Sequence, residues 1–167
     1  MTTASCRLFL ALWPTPAVRR ALVDAQRCWH WPHGVALTPA DKLHLTLHFI
    51  GAVPADRVPG VIDGLALPGR RFTLVLDTAE LWPNRCAVLG ASRTPPALVA
   101  LHAALAERLR QLHLPVEERA FRPHVTLARK AAGARPSEDT PKMRWVVRGH
   151  VLVQSAAGRY TPIARYA

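Results

Sequence analysis

Two short segments of the 167-residue chain pair an imidazole with a hydroxyl at the same spacing. One is His44-Leu45-Thr46-Leu47; the other, His124-Val125-Thr126-Leu127, begins 80 residues further on. In an extended strand, successive side chains point to opposite faces, so each histidine shares a face with the threonine two residues later. Leu45, Leu47, Val125 and Leu127 then point the other way, into a core. Two such strands facing one point would supply two imidazoles and two hydroxyls. That set suits phosphoryl transfer. One neutral histidine takes a proton from the attacking group, and one charged histidine gives a proton to the leaving oxygen. In-line displacement puts these oxygens on opposite sides of phosphorus, so acid and base belong on opposite sides too. The threonine hydroxyls can donate to the non-bridging oxygens, where negative charge gathers. An imidazole titrates near neutrality and suits either role. The bare residues leave the two roles interchangeable.

A metal site is the competing use of histidine. Neither motif carries a carboxylate, a cysteine or a His-x-x-x-His on a helix. His44 and His48 are four apart in a strand segment, which expects both on one face but too far apart to chelate. No metal and no cofactor is expected.

Rigid elements must hold these residues, and the pattern supplies them. Arg7 to Trp13 reads as a buried strand stopped by Pro14 and Pro16. Pro16 to Trp31 reads as a helix, with Val18, Leu22, Ala25 and Trp29 on one face. Leu43 to Ile50 is a strand closed by Gly51, and Pro54 to Leu65 a weaker helix interrupted by Pro59 and Gly60. Arg71 to Leu76 and Arg85 to Leu89 read as paired strands with Pro83-Asn84 in the turn. Pro95 to Leu114 is the clearest helix, with leucines at spacings of three and four. Phe121 to Arg129 is a strand, and residues 131–142 have loop composition. Trp145 to Val153 and Arg159 to Tyr166 complete the set. Each half runs strand, helix, then a strand carrying His-x-Thr. No composition break separates them, so the expectation is one α+β domain over residues 1–167, with largely antiparallel sheets.

Composition narrows the partners. Lys plus Arg is 22 against 11 acidic residues, a net charge of +11, and 19 of the cations are arginine. Arginine's planar fork suits phosphate, and the excess favours a polyanion such as nucleic acid. The charge is spread, with adjacent arginine pairs only at Arg19-Arg20 and Arg70-Arg71. No apolar run approaches the ~20 residues of a bilayer span. Met1 to Trp13 is interrupted by Arg7 and is too short in its apolar part for a secretion signal. Three scattered cysteines outline no disulfide framework, so the expected compartment is the cytoplasm.

The paired motifs with their flanks resemble the 2H phosphoesterase superfamily, in its RNA 2′,3′-cyclic phosphodiesterase (2′-5′ RNA ligase) branch. The resemblance rests on Arg7 to Pro14, Lys42 to Gly51, Phe121 to Arg129 and Arg159 to Ile163. It implies two pseudo-symmetric lobes of antiparallel sheet, with outer helices, around a central cleft. It implies metal-independent hydrolysis of RNA 2′,3′-cyclic phosphate ends to 2′-monoesters by a monomer, with possible reverse joining of RNA through a 2′-5′ bond. His44 would be the proton donor and His124 the proton acceptor. Thr46, Thr126 and Arg129 would hold the phosphate. Strict alternation sets Arg129 opposite His124, so it reaches the cleft only if the strand ends or bulges near Ala128. Phe9, Trp13, Phe49 and Trp82 could stack on bases, although aromatics on strands usually pack in cores. A non-catalytic RNA-binding module and an enzyme for small cyclic nucleotides are the alternatives.

Overall fold

The computed structural model describes residues 4–167; Met1, Thr2 and Thr3, part of the N-terminal stretch read above, lie outside them. Among the described residues, twelve strands and three α-helices follow one another. They are β1 (Ser5–Leu12), α1 (Pro16–Arg27), β2 (Trp29–His30), β3 (Ala36–Leu37), β4 (Leu45–Pro54), α2 (Val58–Gly64), β5 (Phe72–Leu76), β6 (Thr78–Leu81), β7 (Ala87–Gly90), α3 (Pro96–Gln111), β8 (His124–Arg129), β9 (Arg135–Pro136), β10 (Met143–Val147), β11 (His150–Ala156) and β12 (Arg159–Tyr166).

The main sheet has the order β12-β11-β1-β4-β8-β7-β6, with β3 also on β8. All its pairings are antiparallel. It consists of two halves. One holds β12, β11, β1 and β4; the other holds β8, β7, β6 and β3. They meet at one residue pair, Leu45 opposite Val125. This is the expected α+β fold of two antiparallel lobes, with each His-x-Thr segment on the strand at the seam.

Three sequence expectations are corrected. Arg71–Leu76 and Arg85–Leu89 do not pair. β5 pairs with β10 in a separate ribbon, and β7 takes its hairpin partner from β6. The stretch Trp145 to Val153 is two strands, because the chain leaves the β5 ribbon at Arg148-Gly149 and enters the main sheet as β11. Gly149 is required there: a Cβ would lie 1.9 Å from the Tyr166 carbonyl oxygen. The first helix ends at Arg27, and Trp29–His30 pairs with Arg135–Pro136 inside the presumed loop. The repeat is therefore not a clean division of the chain, since the last two strands complete the sheet of the first half.

β1 is buried on both faces. Leu8, Leu10 and Leu12 join the main core, with Leu22 of α1 and Leu98 and Leu105 of α3. Phe9 and Ala11 join a second cluster on the opposite face with Val151, Val153, Trp13 and Tyr160. α1 starts where Thr15 caps it, its Oγ1 accepting from the Val18 N–H at 3.3 Å. Pro16 costs nothing in the first turn, where its missing N–H has no partner to lose. No helix among the described residues is long and apolar enough to cross a membrane.

The motif strands are anchored by their core-facing residues: Leu45, Val125 and Leu127 are wholly buried. Leu127→Ala should therefore destabilise the fold by about 2–5 kcal/mol, the usual cost of a truncated core leucine. Denaturant unfolding followed by circular dichroism checks this.

Candidate active site

The seam pair dictates the arrangement of the motifs. Leu45 faces Val125 in antiparallel register, so the same register sets His44 across from Thr126, and Thr46 across from His124. All four share the face opposite the core, and all four are half-buried. A regular antiparallel pair puts diagonal neighbours about 7–8 Å apart, room for one phosphate between two imidazoles.

The two rings are held in the same way. His44 Nδ1 lies 2.6 Å from the Lys42 carbonyl, and His124 Nδ1 lies 2.6 Å from the Arg122 carbonyl. A carbonyl only accepts, so in each ring Nδ1–H donates and Nε2 is left for chemistry. His44 Nε2 lies 2.9 Å from Thr46 Oγ1. The hydroxyl donates to the neutral ring and accepts from the charged one.

Both imidazoles are pushed below their ordinary pKa. For His44 the main cause is burial, opposed by the Lys42 carbonyl and reinforced by the charges of Arg129, His124 and Arg19. For His124 burial again leads, opposed by the Arg122 carbonyl and reinforced by Arg122 and Arg129. The mutual effect of the two rings follows from their closeness. It also means that the empty site prefers both rings neutral at neutral pH, and that an anion between them restores a proton to one.

Arg129 reaches the site despite the alternation rule. On β8, Val88 pairs with Thr126 but the next residue, Ala87, pairs with Ala128, so Leu127 is an extra residue. The bulge reverses the alternation and brings the Arg129 charge near both histidines. Gln26 and Thr38 secure it, the Gln26 Nε2 and the Thr38 N–H donating to the Leu127 carbonyl at 2.9 Å each. β4 has the same irregularity after its own motif. Ala11 pairs with Thr46 and Leu10 with His48, leaving Leu47 extra. This corrects the expectation that His44 and His48 share a face. His48 is buried on the helix side, where its ring stacks 4.0 Å from His102 of α3 and its Nε2 lies 2.9 Å from the His102 carbonyl. The bulge brings Phe49, 53% exposed, to the site face in the place that Arg129 takes in the other half.

The four aromatic candidates surround the histidines; none belongs to the main core. Phe9 and Trp13 lie 4.9 and 5.9 Å from the His44 ring, Phe49 lies 6.2 Å from Phe9, and Trp82 lies 4.3 Å from the His124 ring. Tyr160, which periodicity did not single out, stands edge-on to His44 at 5.6 Å. Only the return of β12 to the first half brings it there. Arg122 and Glu80 were missed for the same reason: strand pairing across loops brings them to Trp82. Among the described residues, no group of three histidine, cysteine or acidic side chains is arranged to hold a metal.

Paired imidazoles on a two-lobed antiparallel scaffold define a phosphoesterase class, and comparison with known proteins agrees. The 2′-5′ RNA ligase superfamily profile matches residues 14–156, and the chain belongs to that family. It is 33% identical to the RNA 2′,3′-cyclic phosphodiesterase of Escherichia coli K12, over 96% of each chain. It is 31% identical to the protein of the same name from Thermus thermophilus, over 89% of this chain and 81% of that one. The crystal structure of E. coli LigT complexed with 3′-AMP superposes with a TM-score of 0.83 at 30% identity, over 98% of both chains.

Two outcomes follow. In ligand-free protein, NMR titration of His44 and His124 should give midpoints below 6.5, and inorganic phosphate should raise at least one of them. His48, His102 and His150 are also held below their ordinary values, chiefly by burial, and His102 is lowered to about 4. A histidine with a lowered folded pKa binds protons more readily when unfolded. Its contribution to stability is complete above about pH 6.5 and is lost as pH falls towards about 4. The unfolding midpoint in urea should accordingly drop across that window.

Proposed function

We propose that this chain hydrolyses the 2′,3′-cyclic phosphodiester ends of RNA to 2′-phosphomonoesters, acting as one bilobal domain over its whole length. The observation that carries the reading is the Leu45–Val125 seam, which gives both His-x-Thr dyads one shared face. The arginine-rich charge and the names of the E. coli and Thermus relatives support RNA as the substrate class.

The cyclic phosphate sits between the two rings. Thr46, Thr126 and Arg129 donate to its non-bridging oxygens. His124, neutral, takes a proton from water through Nε2 as the water oxygen bonds to phosphorus. The P–O3′ bond breaks on the other side, and His44, charged, gives its Nε2 proton to that oxygen. Product release returns the rings to the start after one proton exchange with solvent. The assignment of His44 as donor is supported by its surroundings. Phe9 and Trp13 turn their faces towards it, the Trp13 ring within 24° of parallel, and the negative faces of aromatic rings favour a cation. The phosphate's own charge supplies the rest, because it offsets Arg129 and raises the pKa of the ring it touches. Arg129 stabilises the charge that builds up in the transition state. The bond energy comes from relief of the strained cyclic ester, so the scheme involves no cofactor. We also place the protein in the cytoplasm, in keeping with its three free cysteines, and take it to act as a monomer.

His44→Ala and His124→Ala should each lower kcat about 10²–10⁴-fold, the range for losing a general acid or base. Arg129→Ala should cost about 10²–10³-fold. An oligonucleotide with a 2′,3′-cyclic phosphate end, incubated with EDTA, should give the 2′-monoester. Binding without turnover would replace this reading with that of an RNA-binding module, and activity lost to EDTA and restored by zinc would replace it with metal catalysis.

A further inference from the structure

Arg129 is exposed, and among the described residues no carboxylate pairs with it. The direction of its backbone therefore sets its reach towards the two imidazoles, and the bulge at Leu127 sets that direction. Were regular alternation restored, Arg129 would point away from the site. The irregular path of the strand has to be held.

The hydrogen bonds around Leu127 supply that hold. In a regular strand consecutive carbonyls point to opposite edges. Here the carbonyls of Thr126 and Leu127 both accept from Thr38, the first from its hydroxyl and the second from its N–H, at 2.9 Å each. The Leu127 carbonyl accepts a second bond, from Gln26 Nε2 at 2.9 Å, which fills both its lone pairs. The other amide proton of Gln26 goes to the Thr38 carbonyl at 3.0 Å. Carbonyls only accept, so the amide nitrogen, and not its oxygen, must face this pair. Gln26 is 9% exposed, and burial of an amide is unfavourable unless it is bonded in this way. The clamp joins α1, the residue after β3, and β8, which are distant in the chain. The bulge on β4 is held comparably, the His102 ring of α3 hydrogen-bonding to the Leu47 carbonyl. A side chain from a helix thus ties the carbonyl of each extra leucine.

We propose that Gln26 is a positioning residue for Arg129: its amide, with Thr38, pins the Leu127 carbonyl and so keeps the guanidinium turned towards the phosphate. The inference rests on the reading above, in which Arg129 holds the phosphate. Gln26 bonds to no histidine and to no motif hydroxyl, so its effect passes through the backbone of Leu127. Without its amide protons the Thr38 carbonyl loses a donor and the Leu127 carbonyl keeps only one. The strand is then free to relax towards regular alternation, and Arg129 turns away from both histidines.

The test uses Gln26→Met, which keeps the length of the side chain and removes both protons, and Thr38→Val, which removes only the hydroxyl bond to Thr126. Each is made in the unaltered chain and in Arg129→Ala. Two quantities are measured: kcat on an RNA with a 2′,3′-cyclic phosphate end, and the NMR titration midpoints of His44 and His124 in ligand-free protein. Gln26→Met should lower kcat about 10–10²-fold, the scale for a misplacement of about 1 Å, and Thr38→Val should lower it less. In the Arg129→Ala background both should change kcat by less than about twofold, since residues that act through one partner are not additive. The Arg129 charge holds both midpoints down, so Gln26→Met should raise them, and should not raise them further once Arg129 is gone. A merely structural role for Gln26 gives the same fractional loss of kcat in both backgrounds and leaves the midpoints unmoved. Either result overturns the proposal, as does full activity of Gln26→Met. If Gln26→Met fails to fold, Thr38→Val decides on the same criteria. Absence of hydrolysis in the unaltered chain, or full activity of Arg129→Ala, overturns instead the reading on which the proposal rests, and this proposal with it.

Discussion

A single antiparallel residue pair, Leu45 against Val125, carries the arrangement of the site. Each is the residue between the histidine and the threonine of its motif. Because the pair lies at the centre of both motifs, it acts as a local twofold axis. What stands on one side of it is repeated, inverted, on the other. The two side chains are wholly buried, so a slip of register by one residue would expose them and bury the histidines. Burial of two apolar groups thus protects the relative placement of four polar ones.

The irregularities next to this axis matter as much as the regular pairing. Each motif is followed by one extra residue, Leu47 on β4 and Leu127 on β8. A bulge shifts the side chains that follow it to the other face. In one half it turns an arginine onto the site face, and in the other a phenylalanine. Equivalent backbone positions therefore supply a phosphate-attracting cation on one side and a flat apolar surface on the other. The chemistry of the two halves diverges at that point, although their folds remain alike. Asymmetry at the histidines follows as well, because His44 lies among three aromatic rings and His124 against one.

Electrostatics links the site to its ligand. Burial and neighbouring arginines oppose a charge on either imidazole. A negative group placed between the rings would reverse that balance and favour a charged imidazole. The excess of arginine makes a field that attracts polyanions over a long range, and the Arg129 charge is felt at both imidazoles.

Much of this could be read from the order of the residues. The alternation of leucine or valine with histidine and threonine identified both motif strands and the face each would present, since a strand has a period of two. Apolar periodicity and the placing of proline located the helices, although α1 ended a turn before its apolar pattern did. Residue order did not reveal which strands pair. β5 with β10, β6 with β7, and the return of β11 and β12 to the first half join residues far apart in the chain, and apolar strands have many possible partners until a core selects among them. The bulges were equally hidden, because an extra residue is defined only against a neighbouring strand. The identity of the candidate reacting groups was therefore written locally in two tetrapeptides. Their convergence, the turn of Arg129 into the site and the meeting of Trp82, Glu80 and Arg122 beside His124 were decided by tertiary pairing, which alone brings distant segments within the reach of a hydrogen bond.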